Sequence, residues 1–214
     1  MNEIPFKKSG ILTPMSVTDI TRMLASYYDI RKNLVVPNVS WGFMWHEADL
    51  VVITKAGYMT EIEIKRSWTD FLADFKKRDY HSDARISRFY YAVPECMLQP
   101  CRDYIENWLA EKCLLSPSSY KRPGFIVYRT LDEPAYRRVQ VICDPISKEK
   151  TPPLSEKDIL KIARLGTLRY WSLLNRTSET EKDRKIGELK SLITEIKADY
   201  KAATGESWKL EDYY

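Results

Sequence analysis

Glu47-Ala48-Asp49 and Glu61-Ile62-Glu63-Ile64-Lys65 place four carboxylates and a lysine in two short strand-like runs. Lys55-Ala56-Gly57 lies between them, with glycine where a three-residue hairpin loop needs a left-handed residue. With Thr54 and Tyr58 as the closing pair, Val51 faces Glu61, Asp49 faces Glu63, and Glu47 faces Lys65. Directly opposed residues of an antiparallel pair point to the same side. Glu47, Asp49, Glu61, Glu63 and Lys65 are therefore expected on one face, and Ala48, Leu50, Val52, Ile62 and Ile64 on the other. A slip of one residue would mix the two sets. Carboxylates crowded on one face repel unless a cation lies between them. An all-oxygen ligand set suits a hard ion such as Mg2+ or Mn2+. A lysine beside it can hold an attacking water or stabilise charge that develops on a phosphate. The same pattern also fits a solvated strand face with cross-strand ion pairs, so spacing alone leaves both readings standing.

The elements that must position these groups follow from periodicity. Ser16 to Tyr28 reads as a helix, with Ile20, Met23, Leu24 and Tyr27 at helical spacing. Leu34 to Trp45 reads as a strand broken at Pro37-Asn38, and the hairpin 49–65 follows. Ser67-Trp68-Thr69-Asp70 has the form of a capping box and opens a helix striped with Phe71, Leu72 and Phe75. That helix is expected to end in Lys76-Lys77-Arg78. A polar loop around His81 leads to the strand Arg88 to Val93, stopped by Pro94. Strand, helix, strand implies a parallel pair with a right-handed crossover, so the lysine strand and the Phe89 strand become neighbours. Further on, Pro100 to Cys113 reads as a helix, and Gly124 to Arg129 and Arg137 to Cys143 as strands. Asp144 to Pro153 reads as a linker. Glu156 to Asn175 and Glu179 to Tyr200 read as two helices. The domains expected are 1–150, α/β, and 151–214, a helical extension.

The bulk composition sets limits. The 214 residues, 44% hydrophobic and 30% charged, suit one sizeable core and exclude disorder throughout. The formal net charge of +4 permits a nucleic-acid partner without requiring one. Cys96, Cys101, Cys113 and Cys143 form no C-x-x-C pair and match no zinc spacing. The opening residues lack a signal-peptide pattern and no apolar run approaches membrane-spanning length. A cytoplasmic protein with reduced thiols and no membrane partner is expected.

Taken together, Asp49, the E-x-K at Glu63-Ile64-Lys65, and the following helix and strand resemble the PD-(D/E)xK nuclease superfamily. The likeness is nearest to its MmcB-like and phage-borne members. It extends through Glu63-Ile64-Lys65-Arg66-Ser67, Asp70-Phe71, Asp74, Lys76-Lys77 and Phe89-Tyr90-Tyr91-Ala92-Val93-Pro94, and covers about residues 16–95. The resemblance implies a restriction-endonuclease-like core, a mixed sheet flanked by helices in the order α-β-β-β-α-β. It also implies Mg2+- or Mn2+-dependent hydrolysis of DNA, in repair or phage DNA metabolism. Carried over, Asp49, Glu63 and the Ile64 carbonyl would bind the metal, and Lys65 would orient or activate water. The sequence departs from the family pattern in two places: Ala48 stands where the motif proline would be, and the first helix holds only Asp19 as an acid. Glu47 or Glu61 is the expected substitute for that acid. On this reading, replacing Asp49, Glu63 or Lys65 by alanine removes cleavage and leaves the fold.

Lys76, Lys77, Arg78, Arg85 and Arg88, with His81, form the basic cluster expected to meet phosphates. A solvated helix end is the plain alternative. Nothing separates RNA from DNA, since no 2′-OH reader is recognisable. The apolar stripes of the C-terminal helices need covering, by the core, by each other or in a homodimer. A binding module without hydrolysis is the rival in function.

Overall fold

The computed structural model describes residues 15–40, 43–44, 46–76, 83–113, 122–130, 132–146 and 151–205. The first helix, α1 (Val17–Tyr27), starts where Ser16 accepts a hydrogen bond from the Asp19 N–H at 3.1 Å and donates its hydroxyl to Asp19 Oδ2 at 2.7 Å. The one acid of this helix is thus committed to its cap. Then follow β1 (Leu34–Val39), β2 (Ala48–Ile53), β3 (Met59–Ile64), α2 (Trp68–Asp74), β4 (Ile86–Pro94), α3 (Leu98–Cys113), β5 (Gly124–Tyr128), β6 (Val139–Cys143) and α4 (Glu156–Thr204). The expected order α-β-β-β-α-β runs from α1 to β4.

The strands form one mixed six-stranded sheet in chain order. β1, β2 and β3 are an antiparallel meander, β3, β4 and β5 are parallel, and β6 returns antiparallel. Val51 pairs with Glu61, the register that the face sorting demands. Pro37 lies on β1, an edge strand, where a missing N–H is tolerated. Gly57, at φ 81°, makes the turn that an L side chain would strain.

One face of the sheet packs on α1, where Ile20, Met23 and Leu24 meet Leu50, Val52, Ile62, Ile64 and Tyr90. The other face carries two apolar clusters. On the β1–β2 side, Val36, Val51, Ile53 and Met59 join Leu154 and Ile162. On the β4–β5 side, Tyr91, Val93, Phe125 and Val127 join Phe71 and Ile105. Between them β3 presents Glu61 and Glu63.

Gly124 sits under the Tyr90 ring. A Cβ there would come within 2.5 Å of that ring and 2.7 Å of the Cys143 carbonyl. Tyr90 in turn donates to Asp144 Oδ1 at 2.5 Å.

The chain divides into two compact units, Met1–Gly166 and Thr167–Tyr214. The expected linker is partly tied down: Ile146 exchanges main-chain hydrogen bonds with Arg122, and just past the linker the N–H of buried Leu154 donates to the Gly57 carbonyl at 2.8 Å. Ile159, Ile162 and Leu165 pack in the β1–β2 cluster, so these first turns of α4 belong with the α/β unit. The two expected C-terminal helices are a single helix. Through the polar stretch read as a break, the Thr177 and Thr180 hydroxyls fold back onto the Leu173 and Arg176 carbonyls, each at 2.9 Å, so neither competes for a helical N–H. Among the described residues no helix is long and apolar enough to cross a membrane.

Candidate functional site

The β2–β3 ladder stops at Leu50–Ile62. One step further, the Asp49 carboxylate replaces a main-chain acceptor: the Ile64 N–H donates to Asp49 Oδ2 at 2.8 Å. Asp49 therefore sits where β2 begins and β3 ends. Its pKa is raised above the usual carboxylate value. Burial is the main cause and the carboxylates of Asp70 and Asp74 add to it, against the opposing pull of the Ile64 N–H and of Lys65.

Lys65 continues β3 by one main-chain bond to the Ala92 carbonyl, 2.9 Å long, and the Lys65 carbonyl accepts from the Tyr128 hydroxyl at 3.0 Å. Its side chain is only 3% exposed. The ammonium lies 2.9 Å from Glu63 Oε1 and 2.9 Å from Asp74 Oδ1. Burial alone would pull its pKa down, but Glu63 and Asp74 outweigh it and the net direction is upward. Lys65 is thus an ammonium throughout the neutral range. Removing Lys65 would strip two buried carboxylates of a shared cation, so this packing argues against the expectation that the fold is left intact.

Asp74 was given no role from sequence. Its signal lay in helical spacing: three residues after Phe71, it falls on the inward stripe of α2. It also accepts a hydrogen bond from the Tyr91 hydroxyl. Tyr91 has its pKa pushed far up, by burial first and then by the Asp74 and Glu63 charges. Helix α2 is set by Ser67, whose hydroxyl accepts the Asp70 N–H at 3.2 Å, while Asp70 Oδ2 takes the Arg66 N–H at 3.3 Å.

Glu61 is fully buried and lies 2.7 Å from His46 Nε2. His46, not Glu47, fills the space beside the acidic strand. Glu47 precedes β2 and is exposed, so it does not face Lys65. Sequence spacing hid this because the ladder ends before Asp49, and strand alternation fails beyond it.

The described members of the expected basic cluster, Lys76, Arg85 and Arg88, do not share one rim. Lys76 is exposed in the turn after α2. Arg85 is held at home: its Nε donates to Asp83 Oδ1 at 2.9 Å, its Nη2 donates to the Phe43 carbonyl, and its guanidinium lies 4.0 Å from the Phe43 ring centre. Arg88 is exposed and acts electrostatically on Tyr28 and Tyr90, which belong to the α1 face, opposite Glu61 and Glu63. Lys77, Arg78 and His81 lie outside the described residues, as do Trp41 and Trp45.

Asp49 and Glu63 lie at adjoining strand ends, with Asp49 on the Ile64 N–H, and these side chains and the Ile64 carbonyl offer only oxygen. That suits a hard divalent ion, which accepts one or two carboxylates and keeps its waters. Among the described residues no group of three His, Cys, Asp or Glu gathers as a ready ligand set. A cleft of about 640 Å³ lined by Tyr27, Arg129, Glu133, Arg137, Val139 and Gln140 includes none of the buried acids.

No family model matches this chain, and no curated protein matches it in sequence. Among solved structures it is similar to a protein of unknown function from Silicibacter pomeroyi, at 18% identity and a TM-score of 0.43, covering 75% of this chain and 89% of that one. So remote a likeness carries nothing about function.

Proposed function

We propose that the α/β unit is a Mg2+- or Mn2+-dependent nuclease that hydrolyses phosphodiester bonds in DNA. The observation that carries this reading is the meeting of Asp49, Glu63 and Lys65 at the adjoining ends of β2 and β3, with Lys65 locked as an ammonium. Asp49, Glu63 and the Ile64 carbonyl would hold the ion, which supplies Lewis acidity and a water of lowered pKa. The raised pKa of Asp49 supports this assignment, since a cation relieves the crowding with Asp70 and Asp74 that helps to raise it. Lys65 cannot accept a proton in this environment, so it acts as a donor. Two of its N–H groups face Glu63 and Asp74, and the third serves a water or a phosphate oxygen. Exposed Arg66, next in the chain, is a ready phosphate contact.

A second reading has its own support. Glu61 is hydrogen-bonded to His46 and Glu63 is paired with Lys65, so each acid has a partner within the protein. Such pairing favours a non-catalytic module that keeps the sheet and binds nucleic acid or a protein. The test uses labelled single-stranded, duplex and branched DNA, and RNA, with Mg2+, Mn2+ or chelator, on wild type and Asp49→Asn. Calorimetric titration with Mn2+ runs beside it. Metal-dependent cutting that is lost in the variant supports the nuclease. Neither cutting nor Mn2+ binding removes it in favour of the binding module.

A further inference from the structure

We propose that the helix of the second unit pairs antiparallel with the same helix of a second copy of this chain. Ile186, Leu189, Ile193, Ile196, Tyr200 and Ala203 follow one another at alternating spacings of three and four residues. That is the spacing of a two-stranded coiled-coil seam, and Ile186 to Ile196 is the stretch that a two-fold partner matches with apolar residues. Among the described residues, Ile186, Leu189, Ile193 and Ile196 are each at least 45% exposed.

Charge beside the seam selects the occupant and its direction. The flanking positions hold Asp183, Lys190 and Lys197 on one side and Lys185, Leu192 and Asp199 on the other. Two copies laid parallel would put Lys185 against the partner's Lys190 twice, and would bring neither aspartate to a cation. Two copies laid antiparallel about a two-fold axis near Ser191 set Ile186 against the partner's Ile196 and Leu189 against the partner's Ile193. The same register sets Asp183 against the partner's Lys197 and Lys185 against the partner's Asp199, each twice by symmetry. Leu192 meets its own mate at the axis and adds apolar contact. Lys190 also meets its mate there, the one like-charge contact of the arrangement. Lys185 gives up little to join, because its present partner Glu181, 3.3 Å away, is an exposed neighbour on the same helix.

The full chain should sediment as a monomer–dimer equilibrium that strengthens with concentration. Lys197→Glu turns two attractions into repulsions and should weaken the dimer by at least about tenfold. Lys197 is an exposed helix residue, so far-UV circular dichroism should be unchanged. Adding Asp183→Lys to Lys197→Glu should restore the dimer, as only the antiparallel pairing requires. A monomer at every concentration overturns the proposal, and so does a dimer indifferent to both variants. A monomer in which Ile193→Asp lowers the melting temperature also overturns it, by showing that the stripe is covered within one chain.

Discussion

In the α/β unit, Glu61, Glu63, Lys65 and Asp74 are each less than a tenth exposed. Along residues 167–204, Leu168, Leu173, Leu189 and Leu192 are each more than half exposed. Charge is usually outside and hydrocarbon inside, so both regions invert the rule, by different routes. Each buried acid has a partner from within the unit: a lysine shared between two of them and a histidine set on the third. A leucine on a solvated helix has no such internal remedy. It needs a second surface, which is why one region directs attention to chemistry and the other to assembly.

Breaking the lysine separates the regions most sharply. Lys65→Ala leaves Glu63 and Asp74 buried without their common cation and should cost about 3–5 kcal/mol, measured by urea unfolding. Exchanging an exposed leucine of the second helix for alanine should cost far less. His46→Ala withdraws the group 2.7 Å from Glu61 and should cost about 1–3 kcal/mol in the same assay. Ser67→Ala removes the cap of the helix that carries Asp74, a loss of about 1 kcal/mol.

Asp49→Asn should have the smallest effect on stability and the largest on cleavage, a drop of at least about a hundredfold. An asparagine oxygen can still accept the Ile64 N–H. The sign of the stability change follows from the raised pKa. Ionised Asp49 burdens the fold above its folded pKa, and that burden lifts as pH falls through this value. The variant should therefore melt higher than wild type at neutral pH, with the gap closing in acid. Equal melting at all pH values would show that Asp49 is not strained. Lys65 has the opposite sense. Its stabilisation is complete below the usual lysine value of 10.5 and is lost only as pH rises through the higher folded value, so its effect belongs to the alkaline limb.

Much of this arrangement was legible in the chain. The hairpin register could be read because apolar and acidic residues alternate cleanly across Val51–Glu61, and a slip would mix the two sets on each face. Helix α1 could be read from Ile20, Met23 and Leu24 with Ser16 as cap. Legibility failed where a long-range contact overrides local pattern. The spacing from Phe71 turns Asp74 inward, but no local pattern shows that β3 brings Lys65 beneath it. His46 and Glu47 are neighbours in an irregular segment, and no period says which turns inward. The basic residues were grouped by proximity in sequence, but Arg85 and Arg88 are drawn to separate tasks by Asp83 and by the sheet face they sit on.

Strand order equal to chain order has a consequence for synthesis. Each strand leaving the ribosome finds its partner already made, so the sheet can grow by addition at one edge without rethreading. The β1–β2 cluster is the exception, because Leu154 and Ile162 are translated after all six strands. Ribosome-bound chains halted just beyond β6 should therefore resist protease on the α1 face, yet remain open to cleavage around Val36 and Phe43 until the start of α4 has emerged.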